Sequence, residues 1–138
     1  MSKHKNRKNL RIVVVIIGLC IVSLLALLFV QRSNRSKDQR NMLVGRWVRP
    51  DGGYIIHIID VAPDGTLEAA YYNPRPIHIE QAEVAKGKEG LELFIELRDT
   101  GYPGATYNLL YNSNKDSLIG LYYQPAVNQY FDVVFNRM

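Results

Sequence analysis

Hydrophobic and polar positions divide this chain into two parts of different periodicity. Ile12 to Val30 are nineteen consecutive residues without a charge. At about 1.5 Å per residue they make a helix of roughly 28 Å, close to the thickness of bilayer hydrocarbon. From Val44 onward the pattern becomes runs of five to eight β-formers separated by turn clusters, as in an all-β sandwich or barrel. Strands are predicted at 44–49, 54–60, 66–73, 77–84, 91–98, 104–111, 117–124 and 129–137. Links such as Pro50-Asp51-Gly52-Gly53 and Ala62-Pro63-Asp64-Gly65 supply the fixed or positive φ angles that close hairpins.

Within the strands, alternation assigns faces. Leu91, Leu93, Ile95 and Leu97 point one way, and Glu92, Glu96 and Arg98 point the other way with Phe94. The last strand sets Phe131, Val133 and Phe135 against Asp132 and Asn136. The run from Tyr54 to Ile59 is apolar on both sides, which invites cover by a neighbour or partner. Eight sequential antiparallel strands leave two exposed edges unless the sheet closes. The expected fold is all-β, an eight-stranded antiparallel up-and-down barrel preceded by a single transmembrane helix.

Charge sharpens this division. Residues 1–40 hold nine Lys/Arg against Asp38 alone, a net +8, whereas residues 41–138 hold eight basic against twelve acidic residues, a net −4. The sequence pI of about 9.2 therefore reflects the flanks of the apolar run and gives no reason to expect nucleic acid. The expected organisation is a cytoplasmic basic tail at 1–11, a transmembrane helix at 12–30, a flexible basic linker at 31–43 and a barrel domain at 44–138. Lys3, Lys5, Arg7, Lys8 and Arg11 precede the span, and Arg32, Arg35, Lys37 and Arg40 follow it. A short basic tail is cheaper to leave behind than a folded domain, so the N-terminus is expected in the cytoplasm. That makes this a single-pass protein of the inner (plasma) membrane, its domain periplasmic or extracellular. A cleaved signal peptide is the rival reading, but Leu28-Phe29-Val30-Gln31-Arg32 offers no small residues for a cut. The sole cysteine, Cys20, lies in the apolar run, so the barrel has no disulfide.

Gly45-Arg46-Trp47 on the first strand, with Arg137 at the end of the last, resembles the signature of the calycins, the superfamily of lipocalin and avidin-like barrels. The resemblance covers residues 44–137. It implies that Gly45 and Trp47 belong to the barrel closure, with Trp47 plugging one end of a closed barrel and Arg137 packing across the indole as a cation–π partner. It also implies a calycin-like binding module. No second lipocalin motif is present, and no helix follows the last strand.

Strand parity sorts the links between two ends. Links 49–53, 73–76, 98–104 and 124–128 share the end far from the apolar run and hold five of the six prolines. Stiffened loops on a rigid scaffold suit binding. The candidate ligand-binding residues at this mouth are Arg49, Arg75, Arg98 and Tyr102, facing a small amphipathic or anionic ligand. All nine tyrosines lie beyond Val44, and their amphipathic rings suit a ligand-lining wall or a protein interface.

Catalytic chemistry has little to stand on. His57 and His78 lie in separate strands without metal-ligand spacing. Ser113 and Ser117 flank one polar turn. Glu92 and Glu96 are roughly 13 Å apart along one strand, too far for a glycosidase pair. The expectation is no enzyme, no catalytic residues, no metal and no cofactor. Two functions remain. One is a membrane-anchored accessory or scaffold barrel docking on a membrane or envelope protein complex; the other is the binding module. Because eight short strands carry many large side chains, a filled interior is expected, and the accessory role leads.

Overall fold

The computed structural model describes the backbone of residues 3–138 and the side chains from Val13 onward. Of the predicted basic tail at 1–11, Met1, Ser2 and every side chain lie outside the described residues. The chain forms two compact units, Met1–Asp38 and Gln39–Met138.

The first unit is helical throughout its described backbone, within α1 (Lys3–Asn41). Its apolar stretch is long and apolar enough to cross a membrane, a property signal sequences share. Inside the stretch the Ser23 hydroxyl donates to the Leu19 carbonyl one turn back, at 2.9 Å, so its polar group is satisfied within the helix. Where the sequence predicts a flexible linker at 31–43, the helix continues to Asn41. Arg, Lys and Gln are good helix formers, and extending an existing helix avoids the cost of nucleation.

The second unit is a nearly closed antiparallel barrel. Its strands are β1 (Gly45–Val48), β2 (Ile55–Val61), β3 (Leu67–Asn73), β4 (Arg75–Ile77), β5 (Ile79–Lys86), β6 (Leu91–Asp99), β7 (Tyr102–Asn112), β8 (Ser117–Gln124) and β9 (Gln129–Arg137). They form one sheet in the order β4-β3-β2-β1-β9-β8-β7-β6-β5. As in an up-and-down barrel, the first strand lies beside the last, with Trp47 opposite Arg137. A 3-10 turn, Pro125–Val127, links β8 to β9 and ends on Asn128 in the left-handed region.

The count is nine strands, not eight. Arg75–Ile77 was expected as part turn and part strand start; it pairs back on β3 through Tyr72–Pro76 and Tyr71–Ile77. Pro76 is tolerated because β4 is an edge, where a missing N–H breaks no ladder. At His78 the chain leaves β3, and from Ile79 it pairs with β6 instead. One predicted strand thus becomes two short ones on opposite edges of the sheet. Those edges meet at a thin seam, where a single Thr66–Glu83 bridge and the Val84 N–H donating to the Gly65 carbonyl at 2.8 Å join them.

Alternation fills the interior. Ile56 and Ile58, Leu93, Ile95 and Leu97, and Val133 and Phe135 are all buried; of the inward sets predicted for β6 and β9, Leu91 is partly buried and Phe131, in the wall of the mouth, is exposed. On β3, β7 and β8 the inward phase brings Tyr71, Tyr107 and Tyr122 toward the end where links β1–β2, β3–β4, β6–β7 and β8–β9 gather.

Candidate functional site at the barrel mouth

The end where the chain enters the barrel is locked. Trp47 is fully buried and its indole N–H donates to the Leu43 carbonyl at 2.9 Å. The Arg137 guanidinium lies 4.1 Å from the Trp47 ring centre, and Tyr111 meets the same ring edge-on at 5.9 Å. Arg137 donates Nε to Asp116 at 2.5 Å, Nη1 to the Val44 carbonyl at 3.0 Å, and Nη2 to Asp116 and to the Met42 carbonyl. This bonding holds the Asp116 carboxyl below the usual carboxylate range. Gly45 has φ +139°, and a Cβ there would stand 2.7 Å from Arg137 Nη1. Gly45, Trp47 and Arg137 therefore form one contact set, and the set is mechanical.

The opposite end is open. A pocket of about 530 Å³ enters the mouth between the β1–β2 and β6–β7 links. Arg49, Asp51 and Tyr54 line one side, Gly101 and Tyr102 another, and Tyr71, Tyr107, Tyr122 and Phe131 form the inner walls, with Gln124 and Asp132 completing it. The rings contact one another in series. Tyr102 meets Tyr71 at 6.3 Å between centroids, Tyr71 meets Tyr107 at 5.7 Å, Tyr107 meets Tyr122 at 4.7 Å, and Tyr122 meets Phe131 at 6.4 Å. Such a wall binds flat apolar surface and offers hydroxyls for orientation.

The electrostatics of the pocket centre on Arg49. The β1–β2 link is a turn closed by the Arg49 N–H donating to the Tyr54 carbonyl and the Gly53 N–H to the Arg49 carbonyl, each 2.9 Å. The turn aims the Arg49 side chain inward, 4.6 Å from the Tyr54 ring centre, and leaves it 13% exposed. Nε and Nη2 donate to the two Asp51 oxygens at 2.8 and 2.5 Å. That pairing strengthens the hold of Arg49 on its proton against the opposing effect of burial, with a smaller contribution from Tyr107. It also lowers the Asp51 carboxyl.

Burial makes the tyrosines weak acids. The Tyr71 and Tyr107 hydroxyls share a hydrogen bond of 2.9 Å. Desolvation is the main cause that raises both, with Tyr107 adding to the effect at Tyr71 and the bond to Tyr71 opposing it at Tyr107. Tyr122 is pushed up to about 12, mainly by burial. Asn73 donates its amide to the Tyr102 hydroxyl, fixing that ring at the rim. The pocket therefore holds neutral hydroxyls at ordinary pH.

No family model matches the chain, and neither a curated protein nor a solved structure matches it. The site is accordingly read from its own geometry.

Of the candidate ligand residues, Arg49 and Tyr102 line the pocket, and Arg75 and Arg98 do not. Arg98 turns to Glu96 at 2.6 Å and Glu80 at 3.8 Å, and Arg75 is exposed on β4. Tyr54, Tyr71, Tyr107, Tyr122 and Phe131 were not singled out from the sequence. The phase of their strands would have found three of them: Leu67, Ala69 and Tyr71, Ala105 and Tyr107, and Leu118 and Tyr122 are each in one inward register. Among the described residues no three His, Cys, Asp or Glu side chains are grouped to hold a metal.

Proposed function

We propose that this protein is a membrane-anchored binding barrel, held by α1 as a single span, whose mouth pocket takes a small flat ligand. The observation that carries the reading is the ring-lined pocket of about 530 Å³, within the size range of small-molecule sites, where Arg49, Asp51, Gln124 and Asp132 add polar groups that can orient a ligand. The calycin-like arrangement of Gly45, Trp47 and Arg137 supports the same reading, since it closes one end of the barrel and leaves the other as the mouth. The test is calorimetric titration of the full chain in lipid nanodiscs with 2-naphthalenemethanol, against empty discs. One molecule should bind, and Tyr102→Ala should weaken it about two- to tenfold through the lost ring contact, with a modest loss of stability from the Tyr71 and Asn73 contacts that leaves the barrel folded at the assay temperature. No binding, or binding indifferent to Tyr102→Ala and Tyr122→Leu, overturns the reading.

The accessory role is the second reading. It is favoured by the outer face of β8 and β9, where Leu121, Tyr130 and Val134 are exposed and Tyr123 stacks on Tyr130 at 4.8 Å between centroids. Exposed apolar area of this kind suits a protein interface. A stoichiometric membrane-protein partner in gently solubilised native membranes supports it; a monomer carrying a bound small molecule supports the first reading.

A further inference from the structure

We propose that Asp51 is a resident competitor in the mouth pocket, occupying the place on Arg49 that belongs to the carboxylate of an aromatic carboxylate ligand. The inference rests on the mouth pocket being a binding site and adds the chemical class of what it binds.

The two partners of the Arg49–Asp51 pair are unequally placed. The Arg49 side chain is 13% exposed and the Asp51 side chain 61% exposed. The cation is thus built into the wall while its counter-ion sits at the rim. Among the described residues the Arg49 side chain bonds no backbone carbonyl and one carboxylate, Asp51, with the Tyr107 hydroxyl interacting beside it. Asp51 belongs to a four-residue link that includes Gly53 at φ +67°, with open space where a Cβ would stand. Water can solvate the released Asp51 carboxylate at the rim, but the largely buried Arg49 still needs an anionic partner, so what replaces Asp51 there must itself be a carboxylate. The fork of Nε and Nη2 that now holds Asp51 is the geometry that would grip any carboxylate.

The ring wall explains why the competing carboxylate should carry an aromatic group. Tyr54 lies against Arg49, and Tyr107 interacts with the same guanidinium. A carboxylate arriving on an aromatic ring would gain stacking on these tyrosines that Asp51 cannot make. A cationic ligand is disfavoured, because Arg49 already occupies the cation position over Tyr54. A neutral ring gains the stacking alone.

The experiment compares 2-naphthoate with 2-naphthalenemethanol, by calorimetry on the full chain in nanodiscs, for wild type, Asp51→Asn, Arg49→Gln and the double variant. Wild type should prefer naphthoate. Asp51→Asn, at an exposed position, should tighten naphthoate about fivefold and leave naphthalenemethanol unchanged. Arg49→Gln should abolish the preference, and Asp51→Asn should gain nothing in its background. A gain that persists without Arg49 would mean that Asp51 acts through its field and not by competition, which overturns the proposal. Equal affinity for the two probes, unmoved by Asp51→Asn, overturns it as well while leaving the pocket reading intact. Failure of both probes to bind overturns the pocket reading and the proposal together.

Discussion

Trp47 and Arg137 offer a quantitative test of how the locked end holds the barrel. Trp47 has no exposed surface, and it contacts Tyr111, Arg137 and the Leu43 carbonyl. Trp47→Ala removes that burial, leaves a cavity and orphans a carbonyl, at a cost of about 3–5 kcal/mol. For a unit of this size the melting temperature should drop by roughly 15–30 °C. Arg137→Gln loses the Asp116 and backbone bonds together with the ring contact. Since Asp116 is partly exposed, its share is discounted, and the total should be about 2–3 kcal/mol. The two losses should not add, because the contact at 4.1 Å is counted in both; the double variant should be milder than the sum by about 1 kcal/mol. The assay is thermal unfolding of the full chain in one detergent, followed by the near-ultraviolet circular dichroism of the tyrosines, which survives removal of the only tryptophan. A Trp47→Ala cost below about 1 kcal/mol, or a coupling of zero, would refute the reasoning.

The remaining predictions concern the seam, the rings and pH. Gly65→Ala should destabilise the barrel by about 1–3 kcal/mol, since Gly65 has φ +97° and a Cβ there would stand 2.4 Å from the Val84 carbonyl oxygen; hydrogen exchange at the Val84 amide should speed up more than exchange in β7, and equal change in both would count against the seam being weak. Spectrophotometric titration should show Tyr71 and Tyr122 still protonated at pH 11 in the folded protein and ionising on unfolding, with Tyr107 shifted upward in the same direction. Because their folded pKa values are raised, their contribution to stability is complete below pH 10 and is lost as pH rises above it. Asp116 has the opposite sign: its folded pKa is lowered by Arg137, so its contribution is present above about pH 4 and fades as pH falls through the folded value. Asp116→Asn should flatten the acid limb of stability, and an unchanged limb would remove the ion pair from the account.

How much of this was legible in the sequence depends on which force decided each feature. Period-two alternation is strong wherever one face is buried, so the faces of β6 and β9 could be assigned, although Leu91 and Phe131 at the strand ends are not fully covered. The break at His78 was not legible, because it is set by closure: one strand must leave β3 and join β6, and no local propensity marks where it lets go. The helix extension through 31–41 was hidden by polar composition, which does not separate a tether from a solvated helix. At the mouth, Arg49 and Tyr102 stood out by type and position. Arg75 and Arg98 shared those marks, but Arg98 turns to Glu96 and Glu80 and Arg75 stands exposed on the edge strand β4, and neither lines the pocket, which only the three-dimensional arrangement decides. The buried tyrosines were hidden because tyrosine is also a common strand former.

The two ends of the barrel use the same parts to opposite effect, and the difference lies in how each arginine is satisfied. Arg137 over Trp47 is bound to a carboxylate and to two backbone carbonyls, so every nitrogen of its guanidinium is engaged and a new anion finds no vacancy. Arg49 beside Tyr54 is bound to one exposed carboxylate on a short glycine-bearing link and to no carbonyl. Backbone partners cannot leave without unfolding, whereas a rim carboxylate can be replaced by another carboxylate that meets the same guanidinium fork. An arginine held by the backbone is therefore a fastener, whereas Arg49, paired with a rim carboxylate beside Tyr54 and Tyr107, keeps a fork that another carboxylate could take.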